Sequence, residues 1–203
     1  MSRASACATN PPRAAFNSTT AGAVWSREIF SAHASRSAPC ARSISFHFRS
    51  GAPEASIVAA RIRAAAAAGQ WAFGENYVQE AVEKMNALAG ERRPLEWHLI
   101  GPLQSNKTRP VAEHFAWVHS VDRLKIAERL SAQRPDHLPD LQVCLQVNIS
   151  GEASKSGLAP QDVLPLARQV AQLPRLRLRG LMSIPEPAED AAARRAPHRA
   201  LRE

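Results

Sequence analysis

Leu141–Val147 (LQVCLQV), Pro160–Leu173 (PQDVLPLARQVAQL) and Leu176–Ser183 (LRLRGLMS) decide the fold class. The outer two runs are short and apolar-rich, as strands are, and the middle one reads as a helix opened by Pro160. Strand, helix and strand in succession imply parallel neighbours, because a parallel pair needs a crossover connection.

The same alternation extends upstream. Pro53 stands in the first turn of an Ala-rich helix carrying Ile57, Val58 and Ile62, which Gly69 stops. A strand is predicted at Trp71–Phe73, then a helix over about 77–88 with Val78, Ala81, Val82 and Met85 on one face. A strand over 96–100 ends at Gly101-Pro102. A helix containing Val111 and Phe115 follows, then a strand at Trp117–His119 and a helix over 123–133 with Leu124, Ile126, Ala127 and Leu130. Downstream of Ser183 a last helical pattern begins near Ala188. Five strands counted from Trp71, each leading into a helix, predict an α/β protein with a parallel sheet. Ser43–Phe48 adds a candidate strand by alternating Ile44, Phe46 and Phe48 with Ser45 and His47. A doubly wound sheet would ask for a Gly-rich nucleotide turn after its first strand, and neither G-x-G-x-x-G nor G-x-x-x-x-G-K-[ST] occurs. A (β/α)₈ TIM barrel asks for eight strands and about 250 residues, more than the 203 present.

Composition narrows the function. A hydrophobic content of 45% fits a globular protein, and no apolar run reaches the roughly 18 residues of a membrane span, so no membrane partner is expected. The net charge of +8 is concentrated in residues 1–50, which hold six Arg, one acid (Glu28) and no Lys. The rest is an ordinary solvated surface without the clustered cations that steer polyanions, so no nucleic-acid partner is expected. Residues 1–50 form an atypical Arg/Ser-rich segment, expected to be disordered and distinct from a domain over 51–203. Such a segment matches an organellar transit peptide or, favoured here because prolines interrupt it, an aberrant start. Cys7, Cys40 and Cys144 show no C-x-x-C pair, pointing to a reducing, cytoplasmic setting. His114 and His119 fall on different elements, which argues against a shared metal.

Three motifs sit at the C-terminal ends of predicted strands, where barrel active sites are built. They are Phe73–Glu80 (FGENYVQE), Trp97–Lys107 (WHLIGPLQSNK) and Val147–Gly157 (VNISGEASKSG), with Gly180–Pro185 (GLMSIP) following. Over residues 53–203 the chain resembles the pyridoxal phosphate homeostasis proteins, related in fold to the barrel domain of alanine racemase. The resemblance implies a partial TIM barrel and a monomer that buffers and delivers pyridoxal 5′-phosphate to cofactor-dependent apoenzymes, with no established catalysis. It places Asn76 against the cofactor face, Met182 and Ser183 in the same pocket, and His98 and Asn148 at neighbouring strand ends. Structural alternatives stand beside each role: Asn76 as a helix N-cap, His98 and Asn148 as satisfied buried polar groups, Met182 as core.

The family's first strand carries a lysine that condenses with the cofactor aldehyde. Here the corresponding stretch is Arg42–Arg49 (RSISFHFR), and the first lysine of the chain is Lys84. Guanidinium stays protonated and imidazole has no primary amine, so neither replaces it. The family's phosphate-cradling strands and loops would lie beyond Glu203. Cofactor binding is therefore expected to be weak or lost. Removing strands is also expected to open an apolar barrel interior to water. Lys155 is the remaining amine best placed to meet the cofactor, with Lys107 second; the plainer alternative for Lys155 is a phosphate-attracting or solvated loop cation. Two competing functions are a racemase-like amino-acid enzyme, which needs the missing lysine and an acid/base partner, and a fragment acting only as an interaction module.

Overall fold

The structure is a computed structural model that describes residues 44–45, 52–91, 94–151 and 156–203. Six strands form one all-parallel sheet in sequential order: β1 (Ile44–Ser45), β2 (Ala72–Glu75), β3 (Glu96–Leu99), β4 (Trp117–Val121), β5 (Leu141–Gln146) and β6 (Leu176–Met182). The helices between and after them are α1 (Ala52–Ala67), α2 (Val78–Ala87), α3 (Thr108–His114), α4 (Leu124–Gln133), α5 (Val163–Val170) and α6 (Ala191–Arg202). A doubly wound sheet reverses its strand order at a switch point. This sheet does not reverse, and sequential winding is that of a barrel wall.

Alternation along the strands sorts their side chains onto two faces. Phe73, Trp97, Leu99, Val118, Leu141, Val143, Leu145 and Leu176 join one buried cluster with Val58 and Ile62 of α1, Ala81 of α2, Val111 of α3 and Ile126 and Leu130 of α4. Each Val, Leu, Ile or Phe among them contributes about 1.5–3 kcal/mol when fully buried. The helices form because their apolar residues fall on one stripe, as Ile126, Ala127, Leu130 and Ser131 do in α4.

The opposite face corrects an expectation. An apolar interior was predicted, yet the residues alternating with the core set include Glu96, His98, Trp117, His119, Gln142 and Cys144, with Arg179 lying over the Trp117 ring at 5.8 Å. Polar groups that bond one another tolerate water better than a bare apolar wall.

The element boundaries shift in informative ways. Helix α2 starts at Val78 with Tyr77 as its N-cap residue, so Asn76 is not the cap. Helix α3 closes at His114, and Phe115 stands just past it with its N–H donated to Val111 O. The buried Arg134 guanidinium then donates to the carbonyls of Ala112 and Phe115 at that helix end, both at 2.7 Å, and to Pro139 O at 2.9 Å before β5. The predicted 160–173 helix divides into a 3-10 turn at Pro160–Asp162 and α5. Helix α6 starts at Ala191, capped by Asp190, whose carboxylate accepts from Ala192 and Ala193 N–H at 2.7 and 2.9 Å. Of the candidate strand Ser43–Phe48 only Ile44 and Ser45 are described, paired with Phe73 and Gly74. The rest of residues 1–50 lies outside the described residues.

Candidate functional site

Backbone bonds join the C-terminal end of β2 to that of β3 and, two strands along the sheet, the end of β5 to that of β6. Glu75 O accepts from Ile100 N at 2.9 Å and Gly101 N at 3.4 Å, joining the turn after β2 to the loop after β3. Gly101 is required there: a Cβ would stand 2.2 Å from Asn76 O and 2.7 Å from Asn76 Cα. The half-buried Asn76 is thus held by its backbone against the neighbouring loop. Beneath it, the Glu75 carboxylate accepts from the Lys84 ammonium at 2.9 and 2.8 Å, both side chains buried. Burial raises the Glu75 carboxyl above its usual range, and the Lys84 hydrogen bond and charge oppose that rise.

At the end of β5, Asn148 N donates to Leu158 O at 2.9 Å and Leu158 N donates to Gln146 O at 2.8 Å, closing the base of the β5–α5 connection. The half-buried Asn148 accepts from Gly151 N through Oδ1 at 3.1 Å, and Gln146 Nε2 donates to Ser156 O at 3.1 Å. Gly157 has φ +129°, and a Cβ on it would lie 2.7 Å from Asn148 N, so only glycine suits the pinch. Lys155 lies outside the described residues; its described flanks are these pinned positions. Val147 N donates to Met182 O at 2.8 Å, tying β5 to the end of β6. Met182 shares a register position with Gln146, and Ser183 beyond it is buried with an Oγ that makes no hydrogen bond among the described residues.

Asn76, Asn148, Met182 and Ser183 therefore all stand at C-terminal strand ends. His98 is placed differently, on the inner face one residue before the end of β3. Its Nε2 faces Glu96 Oε1 and its Nδ1 faces His119 Nε2, each at 2.9 Å, so both ring nitrogens are engaged within the wall. Lys107 is exposed in the 3-10 turn Ser105–Lys107 after β3. Among the described residues no group of His, Cys, Asp or Glu is arranged to hold a metal ion, and His114 and His119 do fall on different elements. No helix among those residues is long and apolar enough to cross a membrane.

Two side-chain groups form only in the folded chain. The Glu75–Lys84 pair was hidden because the partners are nine apart, one on β2 and one on α2. The Glu96–His98–His119 group had a signal: Glu96/His98 and Trp117/His119 each share a strand face at a spacing of two, on adjacent strands. Burial, then the neighbouring His98, pushes His119 down to about 3. The hydrogen bond from His98 holds Glu96 below the usual carboxylate range. Burial pushes the Cys144 thiol up to about 11, against the pull of Arg179.

Pyridoxal 5′-phosphate offers a dianionic phosphate and an aldehyde, and the residues at the strand ends fit the first better than the second. The Ser183 hydroxyl, without a hydrogen-bond partner among the described residues, and the asparagines suit hydrogen bonding to a polar ligand. The described amines do not suit condensation with an aldehyde at the first strand: no lysine precedes Lys84, and the Lys84 amine is held by Glu75.

Comparison with known proteins agrees with this geometry. The profile of the alanine racemase N-terminal domain family matches residues 55–202. A pyridoxal phosphate homeostasis protein of Pseudomonas aeruginosa is 66% identical over 145 residues, 71% of this chain and 62% of that protein. The protein of that name from Escherichia coli K12 is 56% identical over 137 residues, 65% of this chain and 57% of its own length. The chain thus spans about three fifths of these relatives. PipY of Synechococcus elongatus, solved with pyridoxal phosphate bound, superposes with a TM-score of 0.64 at 42% identity, covering 71% of this chain and 66% of PipY. An alanine racemase of Clostridium difficile superposes with a TM-score of 0.54 at 10% identity over 72% of this chain and 35% of the racemase, a likeness of fold alone.

Proposed function

Because the chain belongs to the alanine racemase N-terminal domain family, and its relatives there include pyridoxal phosphate homeostasis proteins, we propose that it is a non-catalytic pyridoxal 5′-phosphate-binding protein of cofactor homeostasis that holds its ligand reversibly. The observation that carries this reading is the buried Ser183 hydroxyl, which stands without a hydrogen-bond partner among the described residues at the end of β6. A buried hydroxyl left unpaired costs about 1–3 kcal/mol, and a ligand oxygen would recover it.

When bound, the cofactor supplies an electrophilic aldehyde and a phosphate dianion. In this proposal Asn76 and Asn148 orient the ligand by hydrogen bonds, Ser183 donates to an oxygen, Met182 covers the ring, and Lys155 attracts the phosphate. His98 supports the wall beneath the pocket, since its nitrogens are engaged. A monomer that delivers cofactor to apoenzymes is the corresponding physiological role. A racemase-like activity lacks a free amine beside an acid/base partner among the described residues at the strand ends.

Borohydride trapping of cofactor-treated protein, followed by peptide mapping, tests the mode of holding. No stable adduct is expected at any lysine; an adduct on Lys155 or Lys107 would replace reversible holding by covalent anchoring. Ser183→Ala tests the carrying observation, with a fall of about 5–10-fold in affinity expected for one lost hydrogen bond. An unchanged affinity would remove Ser183 from the site.

A further inference from the structure

The end of β2 and the sheet-facing side of α2 enclose a buried ion pair. Glu75 closes β2 with its side chain 3% exposed, Lys84 stands within α2 at 7%, and the ammonium reaches both carboxylate oxygens at 2.9 and 2.8 Å. On α2 the lysine occupies the buried stripe between Ala81 and Leu88, where an apolar side chain would pack. As a source of stability the pair is replaceable. Withdrawing two charges from water offsets much of their attraction, and an apolar pair of similar volume is often neutral or better. What an apolar pair lacks is direction. Charge-assisted hydrogen bonds to both carboxylate oxygens favour one placement of the helix against the strand end, whereas aliphatic contacts repack with less regard to geometry.

The segment spanned by the pair is the one that carries Asn76. Asn76 and Tyr77 join β2 to α2, and Tyr77, the N-cap residue, makes no side-chain cap bond and leaves its ring 60% exposed. Helix α6, by contrast, starts on the Asp190 carboxylate. Further ties on the turn come from the loop after β3. Ile100 N and Gly101 N donate to Glu75 O, and Gly101 approaches so closely that a Cβ would stand 2.2 Å from Asn76 O. Glu75 thus engages two neighbours, the β3 loop through its carbonyl and α2 through its carboxylate.

We infer that Glu75 and Lys84 are positioning residues of the ligand site: their buried pair locks the start of α2 to the end of β2 and so sets where Asn76 stands toward the ligand. That role rests on the proposed reading of Asn76 as a ligand contact. Neither charge touches the ligand, because both act from the helix-facing side of the sheet.

The double variant Glu75→Leu/Lys84→Met of the full chain separates position from stability. Its urea midpoint is expected to stay close to the parent's, while its affinity for pyridoxal 5′-phosphate falls about 5–10-fold, the loss of one well-placed hydrogen bond. Without ligand, amide exchange of Ile100 and Gly101 is expected to quicken about tenfold in the same variant. Glu75→Gln/Lys84→Gln restores a hydrogen bond without charge and is expected to recover most of the affinity. An unchanged affinity in the first variant, a loss that only tracks a fallen urea midpoint, or a loss that the second variant leaves unrepaired would overturn the positioning role. A parent chain that does not saturate with pyridoxal 5′-phosphate would instead defeat the cofactor reading. The exchange rates of Ile100 and Gly101 then decide alone whether the pair fixes the turn, and unaccelerated exchange would overturn it.

Discussion

Replacing Lys84 by Met isolates the Glu75 carboxylate in a site where its side chain is only 3% exposed. The ammonium it loses is the donor to both of its oxygens, at 2.9 and 2.8 Å. Breaking one partner out of a buried pair costs about 3–5 kcal/mol, because a charge is left uncompensated. That is a large part of the roughly 5–15 kcal/mol that holds a domain folded. Glu75→Leu, which leaves the ammonium alone, is expected to cost a similar amount. The double variant Glu75→Leu/Lys84→Met removes both charges and is expected to lie within about 1–2 kcal/mol of the parent, since an apolar pair of similar volume is often neutral. Urea unfolding followed by far-UV circular dichroism at neutral pH gives all four corners of the cycle. The pH dependence supplies a second readout. Burial already raises the Glu75 carboxyl, and without Lys84 nothing opposes the rise. A raised carboxyl binds a proton in the folded state, so its penalty grows as pH rises through the folded value. The Lys84→Met variant should therefore lose less stability at pH 5 than at pH 8. A single substitution costing under about 1 kcal/mol, or a double variant whose loss equals the sum of the two, would refute the buried pair.

Gly101→Ala pushes a Cβ to within 2.2 Å of Asn76 O and is expected to cost about 1–3 kcal/mol, together with weaker cofactor binding; urea unfolding and ligand titration check the two effects. Arg134→Met orphans the carbonyls of Ala112, Phe115 and Pro139 and is expected to cost about 2–3 kcal/mol. Arg134→Lys should recover only part of it, because an ammonium lacks the planar fork that reaches three acceptors. The depressed His119 gives stability a defined acid slope. The unfolded chain takes up a proton near 6.5 that the folded ring refuses until about 3, so stability falls with pH across that window by up to about 1.4 kcal/mol per unit. The lowered Glu96 acts in the same direction below 4.5. Urea midpoints measured between pH 7 and pH 4 check the slope, and a flat profile in wild type would contradict it.

Much of the wall was legible because its code is short-range. The short apolar-rich run Leu141–Val147 and the Gly-Pro stop after Ile100 mark strands locally, and the structure has β5 at Leu141–Gln146 and β3 at Glu96–Leu99. Boundaries moved where tertiary contacts compete with local signals. Phe115 fits a helical stripe, but it is buried just beyond α3 while Arg134 serves that helix end from a separate element. The N-cap role of Asp190 has a local signal, a helix-capping residue type before an Ala run, which sets the start of α6 at Ala191 rather than near Ala188. The polar inner face has no local signature. Glu96, His98 and His119 come into contact as a group only through the parallel register of β3 and β4, and Arg179 of β6 reaches the Trp117 ring on the same face. Strand ends carrying Asn76, Asn148, Met182 and Ser183 followed from the motifs, whereas the engagement of both His98 nitrogens depended on partners two and 21 residues away.

Equilibrium titration of the purified chain with pyridoxal 5′-phosphate, read by quenching of Trp97 and Trp117 fluorescence and by absorbance, bears most directly on how the cofactor is held. Reversible saturation with a half-point above about 10 μM, equivalent to about −7 kcal/mol, competed by inorganic phosphate and without a yellow band, is expected. A tight, yellow, stoichiometric complex would contradict reversible holding, and the absence of saturable binding at millimolar ligand would contradict a cofactor site at these strand ends.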